Sequence, residues 1–472
     1  MKTLKALLLG SAAGLAAISA AQAADLPVKA KVAAQYVKIC SLYGVGFYYI
    51  PGTDTCVQIG GYVRADYTYN GQGGGTPNYA GANGRQTRTD TSDFATRARA
   101  WVGVDARSQS AYGTVRSYMR IGFQNENQQG SSSPSIYFNR AFVQFAGFTF
   151  GRVQSPTDIF TLDSYQYGTP RIGADTDGNG VNAASYTMEF GGGLSLLLGI
   201  EERGGGRQKP VVNLATASSF AIGSAATNAS NGERFPDFEG VLSWKEAWGN
   251  IGVFAVGHDA SGGYYGATTT TGHPGDAIGW AAGIGGELKL PLFGPGDRIG
   301  AQFVYSDGAA GYATYADTAH GLYGSGNQVA LGWITDGVYA PGTDVELTKV
   351  SSVTAGYEHK WSPDWATSIY GAYLHIDYSG NATRLICTSA TVLNAATAAH
   401  CSPDYSVFYV GTRTEWHPVK DLSLGLDVMY SQVDTAFSGL ATLPAAGARP
   451  AGIYDLSDQG IVTVTMRAQK NF

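Results

Sequence analysis

The sequence predicts an all-β chain, a sixteen-stranded antiparallel β-barrel that crosses a membrane, with short turns at one rim and long loops at the other. Three observations carry this reading: strict two-residue alternation in many segments, connections that alternate short and long, and a secretory leader at the amino terminus. The alternation is clearest at the carboxyl end, "VTVTMRAQKNF". There Val462, Val464, Met466, Ala468, Lys470 and Phe472 share one parity, opposite Thr463, Thr465, Arg467, Gln469 and Asn471. Successive side chains of a strand point to opposite faces, so this is a strand with one apolar and one polar side. In the second segment Ala98, Ala100, Val102 and Val104 oppose Arg97, Arg99, Trp101 and Asp105. In the third, Val115, Met119, Ile121 and Phe123 oppose Arg116, Tyr118, Arg120 and Gln124. In the fifteenth, Leu422, Leu424, Leu426, Val428 and Tyr430 oppose Ser423, Asp427 and Ser431.

The rhythm follows from laying sixteen such segments along the chain. They start near residues 55, 94, 112, 136, 147, 183, 193, 235, 248, 277, 297, 346, 364, 405, 421 and 459. Short connections fall at 107–111, 191–193, 291–296, 361–363 and 418–420; long ones at 70–93, 125–135, 155–182, 202–234, 259–276, 307–345, 379–404 and 434–458. In an up-and-down barrel every second connection lies on the same rim, and a lipid-embedded barrel has short periplasmic turns and long outer loops. Closure is obligatory there, because an open sheet edge in lipid strands unpaired backbone groups. A soluble sandwich array would explain the alternation but not the rhythm.

The leader gives the compartment. Lys2 and Lys5 precede an apolar run from Ala6 to Ile18 and the small-residue pattern Ala21-Gln22-Ala23. This is a signal peptide over residues 1–23, too short to span the roughly 30 Å of a bilayer core. Its removal leaves 449 of the 472 residues and takes the net charge from −6 to −8, since the leader carries two lysines and no acid. No later stretch is apolar for long enough to be a membrane helix; Leu194 to Ile200 is the best and is far too short. Charged residues are 14% of the chain, with 65 glycines and 29 tyrosines. That thin charge suits strands with one lipid-facing side, and the acidic balance argues against nucleic acid as a partner. Residues 24–54 form an amino-terminal segment expected at the periplasmic mouth, ahead of a barrel over 55–472. Tyr67, Tyr69, Tyr112, Trp361, Trp365, Tyr378, Tyr405, Trp416 and Tyr430 lie near strand ends, where interfacial girdles form.

Longer stretches carry a family resemblance. "YVKICSLYGVGFYYIPGTDTCVQIGGYVRADY" (Tyr36 to Tyr67), "DARSQSAYGTVRSYMRIGF" (Asp105 to Phe123), "AFVQFAGFTFGRVQSPTDIF" (Ala141 to Phe160) and the mature start "ADLPVKA" resemble the general porins of the alphaproteobacterial outer membrane. The resemblance runs the length of the mature chain and is weakest in the long loops. It implies a homotrimer of water-filled channels in a bilayer with lipopolysaccharide, passing small hydrophilic solutes and ions by passive diffusion. It also makes the terminal Phe472 an assembly signal, read by the barrel assembly machinery, on the lipid-facing parity of the last strand.

Such channels are narrowed by an inward-folded third loop. Here that loop, about 154–182, carries Asp158, Asp163, Asp175 and Asp177, with Arg171 as its one cation. Arg64, Arg97, Arg99, Arg116, Arg120 and Arg140 have the parity of the lumen wall, and Arg152 stands at the loop's entrance with ambiguous parity. Acids on the loop against arginines on the wall set a transverse field, and charge rings of this kind govern ion preference. The loop acids and the charge of −8 favour a weak cation preference; the arginines argue against it. Tyr62, Tyr118 and Tyr373 share the lumen parity, as does His375 beside Asp377. "DTDGNG" (Asp175 to Gly180) matches the first half of a calcium loop, but its twelfth position is Tyr186 instead of a bidentate glutamate. A turn-rich acidic loop fits it better.

Four cysteines permit three pairings. Cys56 begins the first strand at the periplasmic rim, whereas Cys387 and Cys401 lie in the seventh long loop outside. Bridges between the sets would have to join sulfurs across a membrane, which leaves Cys40–Cys56 and Cys387–Cys401. No H-E-x-x-H, G-x-S-x-G, Walker or C-x-x-C pattern occurs, so the residues give no reason to expect an enzyme, a cofactor or a metal. Two other functions fit a barrel: a substrate-selective channel, for sugars as an example, and a structural or adhesive surface barrel with a plugged lumen.

Overall fold

The computed structural model describes residues 38–71, 74–77, 94–128, 131–168, 170, 172–173, 175–215, 226–315, 317–324, 326–389, 401–443 and 450–472. The leader lies outside these. The chain divides into two compact units, 1–56 and 57–472.

The first unit is a small staple. A 3₁₀ turn at Ser41–Tyr43 reverses the chain, and Ile39 pairs with Tyr48 across it. The Cys40 amide donates to Phe47 O at 2.9 Å, and the Tyr49 amide to Lys38 O at 2.8 Å. A disulfide joins Cys40 to Cys56, with Cα atoms 6.0 Å apart, and these two cysteines with Phe47 are its buried core. So little chain cannot bury enough apolar surface to hold itself, and the bridge replaces a core.

The second unit is a closed antiparallel barrel of sixteen strands: β1 Cys56–Tyr69, β2 Phe94–Ser110, β3 Gly113–Gln128, β4 Ser131–Phe145, β5 Phe148–Val153, β6 Val181–Gly191, β7 Leu194–Glu201, β8 Asp237–Glu246, β9 Gly249–Asp259, β10 Ile278–Lys289, β11 Arg298–Asp307, β12 Glu346–Ser362, β13 Trp365–Tyr378, β14 Tyr405–Val419, β15 Leu422–Asp434 and β16 Gln459–Asn471. Each pairs with its sequence neighbours, and β1 pairs with β16 from Tyr62↔Asn471 to Tyr69↔Val464 to close the ring. The seam ends at Gly61 and Phe472, which exchange two backbone hydrogen bonds of 3.0 Å each. Phe472 rests where a side chain at Gly61 would stand: an added Cβ would lie 2.7 Å from its ring.

The turn rim is as tight as the rhythm predicts. β4 and β5 are joined by Ala146 and Gly147, both at positive φ (49° and 87°), the left-handed pair that suits the twist of a two-residue hairpin. One predicted loop is absent. The connection expected at 125–135 is a continuation of the β3–β4 hairpin, paired out to Gln128↔Ser131. Its run of Ser, Asn and Gln reads as loop by composition, yet backbone pairing decides the ladder and leaves only 129–130 between the strands.

The loops carry structure of their own. In the sixth (308–345), Ala319–Tyr323 and Gln328–Trp333 form a hairpin; in the eighth (435–458), Gly439–Leu443 and Gly452–Leu456 form another. The two join in parallel at Val329↔Leu456 into a four-stranded sheet. This sheet shares one apolar core with Leu374, Ile376, Val407, Tyr409 and Val433. The seventh loop begins as the helix Gly380–Thr388, capped by Ser379 Oγ, which accepts from the Ala382 amide at 3.0 Å, and a disulfide joins Cys387 to Cys401.

That apolar core changes four residue placements. On β13 the inward parity is the even one: the Ser368 hydroxyl donates to Tyr165 O of the third loop, and Tyr370 donates to Asp427 on β15. Tyr373 and His375 therefore face outward, with Tyr373 42% exposed and His375 Nδ1 3.0 Å from Ser406 Oγ. Tyr378 and Tyr405 leave the girdle, both 3% exposed. Tyr378 donates to Trp333 O at 3.0 Å, and the Tyr405 hydroxyl meets His320 Nδ1 at 3.0 Å. On the strands beneath the sixth and eighth loops both parities are apolar, so alternation alone does not say which one meets lipid. Tyr67, Tyr69, Tyr112, Trp361, Trp365, Trp416 and Tyr430 are all exposed.

Candidate pore constriction

The third loop runs from β5 to β6 over residues 154–180 and turns into the barrel. Its neck is drawn shut by Asp158, whose Oδ2 accepts from the Thr176 amide (2.8 Å) and hydroxyl (2.5 Å), while the Ser155 amide donates to Thr176 Oγ1 at 2.9 Å. From there the chain crosses to the far wall, where Phe160, Leu162 and Tyr165 join the apolar core and a set of polar contacts, long in sequence, holds the backbone. The Phe160 amide donates to Gln302 of β11 at 2.9 Å. The Ser164 carbonyl accepts from Arg298 at 3.0 Å and Arg413 at 2.8 Å. The Tyr167 amide donates to Asp427 at 2.6 Å, its hydroxyl to Glu415 at 2.8 Å, and its carbonyl accepts from Arg467 at 3.1 Å. Arg467 also lies over the Tyr167 ring, 4.3 Å from its centre. Where the loop packs against the wall its backbone loses water, and wall side chains satisfy it instead. At Gly168 the loop meets Gly75 of the first loop, where an added Cβ would lie 2.8 Å from the Gly75 carbonyl oxygen; only glycine permits that approach.

The return limb carries the acids. Asp177 Oδ1 accepts from Arg120 at 2.9 Å and Arg140 at 2.5 Å, and its carbonyl accepts from Asn139 at 3.0 Å. A bulge makes this grip possible. Arg120 pairs with Arg140 but Ile121 with Phe138, so Asn139 is the extra residue and both it and Arg140 turn inward. Asp175 accepts from the Asp177 amide at 2.9 Å. Two guanidiniums on Asp177 make this half-motif a poor cation cradle, since a bound cation would have to compete with both. Burial raises the Asp158 carboxyl to about 7 and that of Asp175 to about 6.

The loop leaves a cavity of about 800 Å³ in the lumen. Asp163, Asp175 and Asp177 line it on the loop side; Arg64, Arg97, Arg99 and Arg120 line it on the wall. The other sequence candidates have different stations. Asp158 is turned away from the cavity, its side chain wholly buried 3.7 Å from Arg207. Arg140 holds Asp177 from behind. Arg116 reaches Asp105 (2.9 Å) and Gln144 (2.9 Å) and does not line the cavity. Arg152 is not part of the pore wall. It pairs with Ala141 on the parity of Phe148 and Phe150, which is the outward one, and bonds Glu202 at 2.9 Å. Its proximity to the loop misleads, because register, not distance along the chain, sets the face. Arg171 lies outside the described residues.

Tyr62 lines the cavity as its parity predicts; sequence reasoning missed Arg413 and Glu415 as lining residues, and missed the junction at Asp66, which Arg97 (2.8 Å), Arg467 (2.6 Å) and Arg64 (3.4 Å) surround. The signal was present in part: Arg467 sits on the polar parity of the last strand, and ring closure sets that strand beside β1.

Comparison with known proteins agrees with this architecture. A family model described as a porin subfamily matches residues 25–464. Porin Omp2b of Brucella suis is 31% identical over 277 residues, covering 53% of this chain and 66% of the relative. Porin Omp2b of Brucella abortus strain 2308 is 32% identical over 273 residues, covering 53% and 65%. The matched stretch thus spans just under two thirds of these relatives' length. The outer membrane channel DcaP of Acinetobacter baumannii has the same fold, with a TM-score of 0.56 at 14% identity, covering 90% of this chain and 99% of that one. With nearly all of the barrel inside the matched span, the chain belongs to the porin family and is a β-barrel of the bacterial outer membrane.

Proposed function

We propose that the chain is a diffusion channel for small hydrophilic solutes and ions, constricted by its third loop. The observation that carries this reading is the charged cavity: a space of about 800 Å³ within the lumen, bounded by loop acids on one side and wall arginines on the other. A dry plug would bury these groups in ion pairs, whereas Asp163 is exposed to the lumen and Asp177 remains a third exposed. Family membership and the resemblance to general porins support a homotrimer as the working form, in a membrane with lipopolysaccharide, assembled through recognition of Phe472 as the terminal signal. Removal of residues 1–23 on export belongs to the same reading. Porin homology favours a channel over an enzyme.

A second reading, a barrel closed to solutes, draws on the four-stranded sheet of the sixth and eighth loops, which covers the inner faces of β13–β15. Flux separates the two. Liposomes carrying the folded protein swell in small sugars if the lumen conducts, and more slowly as the sugar grows. No swelling with a folded barrel favours closure. Swelling with one sugar and none with others of equal size favours a substrate-selective channel.

A further inference from the structure

A second loop meets the third inside the barrel. The inner limb of the sixth loop begins with a 3₁₀ turn, Ala310–Tyr312, whose three residues are buried, and Ala313 and Thr314 are buried after it. This limb bonds the third loop as one strand bonds another. Ile172 pairs with Thr314, the Gly173 amide donates to the Ala313 carbonyl at 3.0 Å, and the Tyr315 amide donates to the Gly173 carbonyl at 3.2 Å. Tyr315 then lines the same cavity as Asp163, Asp175 and Asp177.

Two observations fix the limb there. The first is Arg207 of the fourth loop (202–236), whose side chain is wholly buried. Its Nε donates to Glu201 at 2.8 Å, its Nη1 to the Gly311 carbonyl of the sixth loop at 3.1 Å, and its Nη2 to Thr157 of the third loop at 3.1 Å. Its guanidinium lies over the Tyr312 ring, 4.3 Å from the centre. One planar fork thus joins three loops, and its rigid geometry holds them in one arrangement. The Arg207 backbone also leaves no room for a side chain at Gly311. The Ala310 amide donates to Asp336 at 2.8 Å, and the Tyr312 hydroxyl to Asp237 of β8 at 2.8 Å. The second observation is the wall behind. Val241 of β8 and Phe254 and Val256 of β9 have the lumen parity, yet they are buried in one apolar core with Ile172, Tyr312 and Ala313. Lifting the limb would expose that core to water.

We propose that the constriction is made by two loops: the inner limb of the sixth loop stays docked on the third in the conducting channel, Tyr315 sets the width of the path with the third loop, and Arg207 is the positioning residue that locks the two together. This rests on the channel reading above and adds a second, separately encoded determinant of which solutes pass.

The test joins the loops and then widens the path. Opposed Cα atoms of an antiparallel pair lie about 4.5–5.5 Å apart, within reach of a disulfide. Ile172→Cys with Thr314→Cys should therefore cross-link in the folded protein, as read by mass mapping of a digest. Its single-channel conductance in a planar bilayer should be the same before and after dithiothreitol, once the response of the parent protein, which has two disulfides of its own, is subtracted. Tyr315→Ala should raise conductance and shift the liposome-swelling cut-off to a larger member of a mono- to tetrasaccharide series. Tyr315→Phe keeps the ring and should keep the parent cut-off, which separates width from any loss of folding. Failure of the pair to cross-link, or conductance that appears only on reduction, overturns the proposal, because the sixth loop then leaves the third when the channel opens. An unchanged cut-off in Tyr315→Ala overturns the role of Tyr315. A folded parent protein that passes neither ions nor sugars overturns the channel reading instead, and the cross-link then decides by itself whether the two loops are one unit.

Discussion

Gly61 and Phe472 hold the barrel shut: two backbone hydrogen bonds of 3.0 Å join them, and the phenylalanine ring occupies the space a Gly61 side chain would need. The last residue of the chain is thereby the last rung of the ladder. A carboxyl-terminal strand that ended one residue earlier would leave Gly61 with unpaired N–H and C=O groups at the rim.

This relationship predicts that Gly61→Val is destabilising, by about 1–3 kcal/mol as for other overpacked sites. Unfolding in urea, followed by the heat-dependent gel mobility of the folded barrel, measures it. Phe472→Ala should cost less in the folded state and lower the yield of assembled protein more. Equal yields would remove Phe472 from assembly.

The grip of Arg120 and Arg140 on Asp177 predicts that Asp177→Asn loosens the return limb of the third loop. Single-channel conductance should rise, and stability should fall by roughly 1–3 kcal/mol for weakened charged hydrogen bonds. Combined with Asp175→Asn, the change should also shift the reversal potential away from cations. An unchanged potential would place both acids away from the ion path.

Acid should act in the same direction. Burial holds the carboxyls of Asp158 (about 7) and Asp175 (about 6) above their ordinary value of 3.8, so the folded protein binds protons there that the unfolded chain releases. Stability from these groups is complete below about pH 4 and declines as pH rises through 6 and 7. In the channel, lowering the pH from 8 to 5 neutralises Asp175 and makes the lumen more positive, so selectivity should move toward anions with a midpoint near 6. In Asp175→Asn that midpoint should disappear from the reversal-potential titration.

The seventh-loop disulfide encloses a separation of 14 residues, for which loop closure contributes about 3 kcal/mol against local unfolding. Cys387→Ser with Cys401→Ser should make that loop cleavable by trypsin at Arg384 in intact cells while leaving conductance unchanged. Protection equal to the parent protein would contradict this.

Much of the fold was legible because a barrel in lipid allows few solutions. Alternation marks each strand, turn length marks the rim, and ring closure follows from β1 and β16. The lumen was legible only where one parity is charged, as at Arg97 and Arg99. It failed at Tyr373, Tyr378 and Tyr405, where a second apolar layer from the sixth and eighth loops turns the inner wall into a core. It failed at Asn139 because a bulge of one residue turns a side chain inward without changing the local pattern, and at Arg152 because nearness to the loop does not fix the face. The Asp66 junction joins residues 64, 97 and 467, and no local spacing connects those positions.

The measurement that bears most directly on the central claim is single-channel conductance of the folded, leaderless protein in a planar bilayer. The account predicts discrete open steps, grouped in threes, with conductance rising in proportion to KCl and increased by Asp177→Asn. A protein shown by circular dichroism and gel mobility to be folded, yet electrically silent, would contradict it.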